Sequence, residues 1–424
     1  MSIFKELIHN ASRVLTYTVY IISIYYLFIS IFGIRRKKDT GEAKPEKSFA
    51  LVVAAHNEEV VIDDIIESLK KLDYPKALYD IFVIADNCTD KTAVKARRKG
   101  AVVYERFTEG KRGKGYALEW MFDKIFKMKK KYDAVAIFDA DNLVNRNFLK
   151  EMNKQLCKGY KVVQGYLDSK NPRDTWITGS YSIAFWTCNR MFQLARSNLG
   201  LSTQLGGTGF CIDINVLKKL GWGATCLTED LEFTCKLVLN GYKVGWAHDA
   251  IIYDEKPLTL FQSWKQRKRW MQGFADVSSR YFFKLLKKSI RSCNFVLLDC
   301  AFYSIQPIVT VLMGISAISG IIQYFMKTYN LISNFNTVVY SINFDLFTII
   351  VVLFSILQFV YTPFVLILEK KLDLRIFGYY IIYPLYVITW FPISLQGIIY
   401  KNDKEWNHTI HSRSVKIKDL EKAN

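Results

Sequence analysis

Residues 49–59 read FALVVAAHNEE, and this stretch decides the fold. Its first part, 49–55, is wholly apolar, which predicts a strand that is buried on both faces of a sheet. A helix is predicted directly afterwards, over 60–72. A buried strand that runs through a polar turn into a helix is the unit from which parallel α/β sheets are built.

The same alternation continues toward the middle of the chain. Further strands are predicted over 81–85, 102–104 and 134–138, and helices over 92–99 and 116–127. This pattern indicates an α/β fold with a largely parallel sheet that helices cover on both faces. Binding sites in such sheets lie at the carboxyl ends of the strands. We therefore expect a site where polar residues follow the strands, at His56–Glu58, Asp86–Asn87 and Asp139–Asp141.

The chain is strongly basic, with 58 Lys and Arg against 39 Asp and Glu and a net charge of +19. Two basic clusters, 35–38 and 284–291, flank apolar segments, so we assign the charge to contact with an anionic lipid surface. Nucleic acid is disfavoured as a partner because the chain has no basic-aromatic RNA signature and no zinc-finger spacing. The eight cysteines include no Cys-x-x-Cys pair, which indicates reduced thiols facing the cytosol.

Apolar residues are concentrated at the N-terminus and in the last third of the chain. This distribution predicts a soluble domain framed by membrane segments. The uncharged run 14–34 is long enough to span a bilayer, and the basic residues after it belong in the cytosol. A cleaved signal peptide is the alternative, but the run is too long for one and no small-residue cleavage site follows it.

The C-terminal third is expected to return to the membrane. Residues 258–290 mix Trp, Phe and Leu with many Lys and Arg, which predicts amphipathic helices in the membrane interface. One crossing is expected from near Pro307 to 325, an outer loop over 327–345 and a second crossing over 346–368. The apolar segment 376–400 contains two prolines. We expect it to be bent, re-entrant or interfacial, because the basic tail that follows belongs in the cytosol.

Asp139-Ala140-Asp141 is a candidate metal site. Two carboxylates at a strand end can hold Mg²⁺ or Mn²⁺ against a diphosphate, because these cations prefer oxygen ligands and often take only one or two from the protein. A solvated turn is the competing interpretation of this short motif. The metal-site interpretation therefore depends on whether the motifs around it also fit a diphosphate site.

Thr228-Glu229-Asp230 precedes a helical run over 231–239 and has two interpretations. Thr228 can cap the helix through its side chain. Alternatively, Asp230 is a general base beside an attacking hydroxyl group.

Three more motifs fit a site for a phosphorylated sugar. In the stretch 266–270, QRKRW, two arginines can reach a diphosphate while Trp270 stacks on a sugar; a membrane-surface anchor is the alternative. The glycine-rich stretches 110–115 and 206–210 allow phosphates or other ligands to approach the backbone closely, although either can be a plain turn. The first of them lacks the spacing of a P-loop, which excludes a Walker-type ATPase.

In their order along the chain, these motifs resemble those of the family 2 glycosyltransferases. The resemblance is to the membrane-integrated, processive branch that includes cellulose, chitin and hyaluronan synthases, and it runs from about Phe49 to Trp270. It rests on Ala54–Glu59, Asp86 within Ala85–Asp90, Lys114, Asp139 and Asp141, Thr228-Glu229-Asp230, and Gln266-x-x-Arg269-Trp270.

The resemblance implies a GT-A-like, Rossmann-type catalytic domain on the cytosolic side of a bacterial cell membrane. The chain would then divide into an N-terminal transmembrane helix (1–36), the glycosyltransferase domain (37–257), interfacial amphipathic helices (258–306), a C-terminal transmembrane region (307–400) and a cytosolic tail (401–424). A multi-pass membrane protein is expected, and the oligomeric state is left open.

The resemblance also assigns residues to the sugar-nucleotide donor. The uridine would be held by Ala55, His56, Glu58 and Asp86. The diphosphate would contact Lys114, Arg267 and Arg269. Asp139 and Asp141 would bind the nucleotide and a Mg²⁺ or Mn²⁺ ion, with Asp141 as the direct metal ligand.

The remaining assignments concern the acceptor and the catalytic step. The acceptor site would be lined by Gln164, Gly165, Gly207, Thr208, Gly209, Gln266 and Trp270. Asp230 would deprotonate the acceptor hydroxyl, with Glu229 and Thr228 beside it. A gating loop in the tail would close over the nucleotide through Trp406, Thr409, His411 and Arg413.

The expected activity is inverting transfer of a hexose, best assigned as glucose from UDP-glucose, onto a growing β-linked polysaccharide that is moved across the bilayer. The open alternatives are a poly-N-acetylglucosamine or hyaluronan-type polymer, and transfer of a single sugar to a lipid carrier. A transporter with a regulatory cytosolic domain is the non-enzymatic alternative, but it would leave the ordered carboxylates unexplained.

Overall fold

The computed structural model describes residues 2–36, 41, 43–333, 359–403, 413 and 415–423. Its centre is an eight-stranded sheet with the order β3-β2-β1-β4-β7-β6-β8-β5. The strands are β1 (Phe49–Ala55), β2 (Tyr79–Asp86), β3 (Val102–Arg106), β4 (Ala134–Asp139), β5 (Leu143–Val144), β6 (Val162–Ser169), β7 (Phe210–Asp213) and β8 (Val244–Asp254). Strands β1 to β4 pair in parallel, as predicted, whereas β7 runs antiparallel to both of its neighbours.

Helices lie on both sides of this sheet, so the predicted α/β class is confirmed. In the first half they are α2 (Ile62–Lys70), α3 (Thr92–Arg98), α4 (Lys114–Lys127) and α5 (Phe148–Cys157). In the second half they are α6 (Trp176–Cys188), a π-helix (Asn189–Leu194), α7 (Ala195–Asn198), α8 (Ile214–Leu220) and α9 (Glu229–Leu239).

Strand β1 is buried on both faces because its side chains alternate between two hydrophobic clusters. Phe49, Leu51 and Val53 pack in the cluster that includes α2 and α5. Ala50 and Val52 pack in the cluster that includes α4 and α8. Burial of one large apolar side chain contributes roughly 1.5–3 kcal/mol, so this strand holds the two layers together and fixes the position of its carboxyl end.

The remaining helices are the one that precedes β1 and those that follow β8. They are α1 (Ser2–Ile31), α10 (Leu260–Ser292), α11 (Phe295–Ser304), α12 (Gln306–Ser333), α13 (Phe359–Leu368), α14 (Leu374–Ile388), α15 (Trp390–Ile399) and α16 (Ile417–Ala423). Within the part of the chain that the structure describes, two segments, Arg13–Ile31 and Leu374–Ile399, are long and apolar enough to cross a membrane. The pair of α11 and α12, bent by 62°, would make a third if it forms one span.

The C-terminal third differs from the sequence prediction in several places. Residues 260–292 form one continuous helix instead of several. Helix α12 continues to Ser333, so the predicted loop over 327–345 begins too early. Most of the predicted crossing over 346–368 lies outside the described residues. Segment Leu374–Ile399 has the length of a span, and its re-entrant course and the domain limits stay predictions.

A buried ion pair joins α7 to α11, and a tyrosine of α1 donates to it. Arg196 donates from Nε and Nη2 to the two carboxylate oxygens of Asp299, at 2.8 and 2.9 Å. The Tyr25 hydroxyl donates to the same carboxylate at 2.7 Å. The side chains of Arg196 and Asp299 are 0% and 3% exposed, so α1, α7 and α11 meet at a charge pair that water does not screen.

We expect Asp299→Asn to destabilise the protein by about 3–5 kcal/mol, because it leaves the Arg196 guanidinium buried without its counter-charge. Thermal or denaturant unfolding of the full chain in detergent measures this change. The matched control is Glu105→Gln, which removes an exposed ion pair with Arg97 and should cost about 1 kcal/mol or less. Equal losses for both variants would contradict a stabilising role for the buried pair.

Candidate active site

Lys114, the first residue of α4, lies at the centre of the site. Its Nζ donates to the carbonyl oxygen of Gly207 at 2.6 Å and forms an ion pair with Asp139. Burial by itself lowers the pKa of the Lys114 ammonium, but the charges of Asp139, Glu229 and Asp230 outweigh it and the pKa is raised. Lys114 is therefore a fixed cation on which carboxylates from distant parts of the sequence converge.

The turn after β4 holds the predicted metal motif. The backbone N–H of Asp139 lies 3.0 Å from Thr208 Oγ1 and 3.1 Å from Asn142 Oδ1, so this turn is tied to the 206–209 loop. Asp141 is 5% exposed. Its carboxylate accepts hydrogen bonds from the Glu255 backbone N–H at 3.0 Å and from Asn142 at 3.3 Å. These bonds hold Asp141 in one orientation beside Asp139.

Asp254, at the end of β8, is a third carboxyl group near this turn, and the sequence analysis did not find it. Burial raises its pKa to about 6, and the charges of Asp141 and Asp139 add to the rise against the attraction of Lys256. Among the described residues, no set of three His, Cys, Asp or Glu side chains comes together as a complete metal site. The donor chemistry fits a cation that takes one or two carboxylates from the protein and the rest of its ligands from a diphosphate.

The ends of β1 and β2 bring the predicted uridine residues together. Ala55 ends β1 and is buried. His56 Nδ1 lies 2.6 Å from the carbonyl oxygen of Asp86, and because a carbonyl only accepts, Nδ1 carries the proton. The Glu58 backbone N–H donates to Thr92 Oγ1 at 2.8 Å. The structure thus gathers all four predicted residues at neighbouring strand ends.

The sequence analysis missed Arg106, which ends β3. Its Nη1 lies 2.5 Å from Asp86 Oδ1, and both side chains are buried. Burial raises the pKa of Asp86, and Arg106 opposes the rise. Asn57 and Asn87, which follow β1 and β2, both have positive φ, 55° and 51°. Asparagine tolerates this left-handed conformation better than most residues, which explains the matching turns after the two strands.

The loop over 206–209 places backbone next to Asp230, the predicted base. The buried Gln164 side chain accepts from the Gly206 N–H at 2.8 Å and donates to the Thr208 carbonyl oxygen at 3.0 Å. Gly207 has a φ of 80°, and a Cβ there would lie 3.5 Å from Asp230 Oδ2. Gly209 has a φ of 62°, and a Cβ there would overlap Ile252 at 1.6 Å. The predicted acceptor residues therefore lie beside the predicted base.

The Gly165 N–H completes this arrangement by donating to the Gly209 carbonyl oxygen at 2.9 Å. Gln164 and Gly165 belong to β6, so the sheet itself positions the glycine loop. This hydrogen bond explains why the loop residues lie next to Gln164 and Gly165.

Thr228, Glu229 and Asp230 begin α9. Thr228 occupies the N-cap position, but its side chain makes no capping hydrogen bond, so the capping interpretation is wrong. A Cβ on Gly273 of α10 would lie 2.5 Å from Thr228 Oγ1, so the two helices approach closely here. The positive end of the α9 dipole favours the negative charges of Glu229 and Asp230.

Burial dominates the acid–base properties of this pair of carboxyls. It raises the pKa of Glu229 to about 7, with Lys114 opposing the rise and Asp230 adding to it. Burial also raises the pKa of Asp230, against the Leu231 N–H and the charges of Lys114 and Arg269. A carboxyl with a raised pKa is a stronger base than a solvated one.

The residues of the 266–270 motif face in different directions. Gln266 accepts from the Tyr181 hydroxyl at 2.9 Å, and Trp270 packs edge-on against the Tyr181 ring. The charge of Arg269 acts on Asp230. These contacts join the motif to α6 and to the start of α9.

Arg267 lies elsewhere than the sequence analysis expected. It is 0% exposed, and its Nη1 donates to Thr389 Oγ1 at 2.8 Å. Its guanidinium lies over the rings of Tyr386 and Trp390, at 4.2 and 4.9 Å. Arg267 therefore joins α10 to α14 and α15, and of the two arginines it is Arg269 whose charge acts on Asp230.

Three of the predicted gating residues, Trp406, Thr409 and His411, lie outside the described residues. Arg413 is described, and it forms an ion pair with Asp174 while its N–H lies 3.3 Å from Glu255 Oε2. Since the Glu255 N–H binds Asp141, the tail passes next to the predicted metal ligand. The gating function stays a prediction.

Comparisons with known proteins place most of the motifs within one sequence family. A sequence model of the family described as glycosyltransferase like family 2 matches residues 45–273. The chain is 28% identical to a β-monoglucosyldiacylglycerol synthase of Synechocystis over 55% of this chain and 50% of that protein. It is 26% identical to a poly-β-1,6-N-acetyl-D-glucosamine synthase of Staphylococcus epidermidis over 62% of this chain and 64% of that protein. The match thus spans about half of the first relative and under two thirds of the second.

A solved structure shares the fold over most of the chain. It is the mannosyltransferase PcManGT of Pyrobaculum calidifontis in complex with GDP-Man and Mn²⁺, with a TM-score of 0.60 and 16% sequence identity. The superposition covers 93% of this chain and 99% of that one. The predicted GT-A-like architecture is therefore confirmed.

Proposed function

Because the chain belongs to glycosyltransferase family 2, we propose that it transfers a hexose from UDP-glucose to an acceptor hydroxyl group at a membrane, with inversion of the anomeric centre. The observation that carries this proposal is the convergence on Lys114, whose Nζ contacts Asp139 and Gly207 while its charge acts on Glu229 and Asp230. One cation thus joins the donor-side motif, the acceptor loop and the candidate base.

In the proposed reaction, the acceptor oxygen attacks the anomeric carbon as the bond to the UDP diphosphate breaks. Asp230 takes the proton of the attacking hydroxyl. Its neighbour Gly207 has no side chain, which leaves room for a sugar beside Asp230. Negative charge develops on the departing diphosphate, and Lys114 and Arg269 stabilise that charge in a site that the surrounding protein buries.

The residues at the end of β4 fit a divalent cation. We infer that Asp141 holds Mg²⁺ or Mn²⁺ and that Asp139 assists. Burial, together with the nearby charges of Asp141 and Asp139, raises the pKa of Asp254 against the attraction of Lys256, and a solved protein of the same fold holds Mn²⁺. When bound, the ion supplies Lewis-acid stabilisation of the diphosphate. Asp141 is oriented for this role by the Glu255 N–H.

We expect activity to fall as the pH decreases through about 7, the raised pKa of Glu229. The base must be unprotonated, and the pKa of Asp230 is raised in the same buried pair. Protonation of either carboxyl therefore lowers turnover, whereas a solvated carboxylate base would titrate near pH 4. The pH profile of kcat/KM for UDP release measures this effect, and a constant rate from neutral to mildly acid pH would contradict it.

We propose a β-linked polysaccharide as the product, moved across the bilayer as it grows. The Gln266 and Trp270 side chains support this, because they lie in an aromatic cluster with Tyr181 and Tyr386 that reaches α14, and sugars stack on aromatic faces. A single-sugar transfer to a lipid is the second candidate, favoured by the similarity to the glucolipid synthase.

Product size separates the two candidates. The full chain in detergent is supplied with a divalent cation, diacylglycerol and either radiolabelled UDP-glucose or radiolabelled UDP-N-acetylglucosamine. A high-molecular-weight product that a β-glucanase digests supports the polymer. An organic-soluble glucolipid as the sole product would replace it with the second candidate, and a polymer made only from UDP-N-acetylglucosamine would change the donor.

A further inference from the structure

A cavity of about 140 Å³ lies apart from the motif residues, between the catalytic domain and the loop that joins α13 to α14. Basic side chains dominate its polar lining. They are Lys170, Arg173, Lys370 and Lys371, with Asp168 and Asp373 as the acidic members. The lining therefore carries two more basic than acidic groups, which suits an anion.

Lys170 is the main evidence for an anion site, because its ammonium group is buried and has no hydrogen-bond partner among the described residues. Its side chain is 4% exposed. A buried cation without a counter-charge costs several kcal/mol. The two nearby acids are engaged elsewhere, Asp168 with Lys371 and Asp373 with Arg173. The cavity thus has a place for one more negative group next to Lys170.

The charges indicate a phosphate group as the ligand. Arginine and lysine together favour phosphate, since arginine offers paired donors and lysine a compact charge. Arg173 and Lys370 lie at the rim, where Lys370 is exposed and has a left-handed φ of 57°. A phosphate seated against Lys170 could also contact these two residues.

The position of the cavity points to a lipid as the carrier of that phosphate. The loop 370–373 leads directly into the candidate membrane span Leu374–Ile399. Ile367 before the loop and Leu374 after it are 59% and 92% exposed, so apolar surface borders the basic cavity on both sides. Basic pockets at the ends of membrane helices bind anionic lipid headgroups in this way.

We propose that this cavity binds the phosphate group of a membrane lipid, with Lys170 as the buried counter-charge and Lys370 at the rim. The site is separate from the donor residues around Lys114 and does not depend on the sugar transferred. A phosphate group bound in this cavity would hold the start of α14 against β6 and against the residues that follow β6.

Binding of three probes to the delipidated full chain in detergent tests the proposal. They are dioctanoyl phosphatidic acid, dioctanoylglycerol and inorganic phosphate, and titration calorimetry or thermal shift gives each affinity. We expect phosphatidic acid to bind at least about tenfold more tightly than either other probe, and Lys170→Gln to weaken it about 10- to 100-fold, as for a lost charge-assisted hydrogen bond.

Two further variants keep the test decisive. Lys370→Glu reverses a charge on an exposed residue and should weaken phosphatidic acid binding without unfolding the protein. Lys158→Gln makes the same charge change as Lys170→Gln at an exposed residue that does not line the cavity, and it should leave binding unchanged. Equal binding by wild type, Lys170→Gln and Lys370→Glu would overturn the site, and inorganic phosphate binding as tightly as phosphatidic acid would overturn the lipid assignment.

Discussion

Asp230→Asn is expected to lower turnover by about 10²- to 10⁴-fold, the usual contribution of a general base, while UDP binding is largely retained. The amide cannot accept the acceptor's proton, but it preserves the shape of the side chain. The residues proposed to bind uridine are others, around His56 and Asp86 at the ends of β1 and β2. Single-turnover sugar transfer and UDP binding by calorimetry measure the two effects separately.

Glu229→Gln identifies which carboxyl is the base, because both carboxyls are half-buried and the charge of Lys114 acts on both. We expect this variant to retain more activity than Asp230→Asn, since it is Asp230 that lies beside Gly207 of the acceptor loop. The control is Asp123→Asn, an exposed acid on α4. Loss of UDP binding together with activity in Asp230→Asn would contradict the base function.

Lys114→Met is expected to lower turnover by about 10²- to 10³-fold, comparable to the removal of one preorganised donor at a developing negative charge. A second effect follows from the same contacts. Lys114 lowers the pKa values of Glu229 and Asp230, so its removal lets both rise further. The acid limb of the pH profile should therefore move to higher pH, which a purely structural lysine would not cause.

Lys114→Arg should restore part of the activity and return the pH profile toward that of the wild type, because it keeps the charge. Lys111→Met is the matched control, an exposed lysine in the same glycine-rich loop. An unchanged pH profile in Lys114→Met would show that Lys114 does not set the charge of the carboxyl pair, and the proposed organisation of the site would fail.

The first half of the fold was predictable because its signals are local. Strand β1 and strand β4 are apolar runs that lead into polar residues, and they pair in parallel as predicted. In the second half the helical run over 231–239 was predicted and is present within α9, but the strands were not predicted. Strand β7 has four residues, and the pairing of β8 with β6 shifts register between Gly165 and Tyr166, so neither gives a clear pattern. Asp254 at the end of β8 was missed for this reason.

The position of Arg267 could not be predicted from the sequence motif to which it belongs. Adjacent residues on a helix point about 100° apart, so Arg267 shares a face with Ser263 and Met271, which are buried. Gln266 and Trp270 lie on the neighbouring face. Helix geometry alone separates these positions, but only the packing of α10 against α14 and α15 showed which arginine is enclosed.

The most direct test of the account is UDP release by the purified full chain in detergent, with Mg²⁺ or Mn²⁺. UDP-glucose, UDP-N-acetylglucosamine, UDP-glucuronate and UDP-galactose are supplied in turn. We expect UDP to be released from UDP-glucose, and we expect this release to need the divalent cation and to be lost in Asp230→Asn. No release from any of the four donors with either cation, in the presence of both a glucan and a diacylglycerol acceptor, would contradict it.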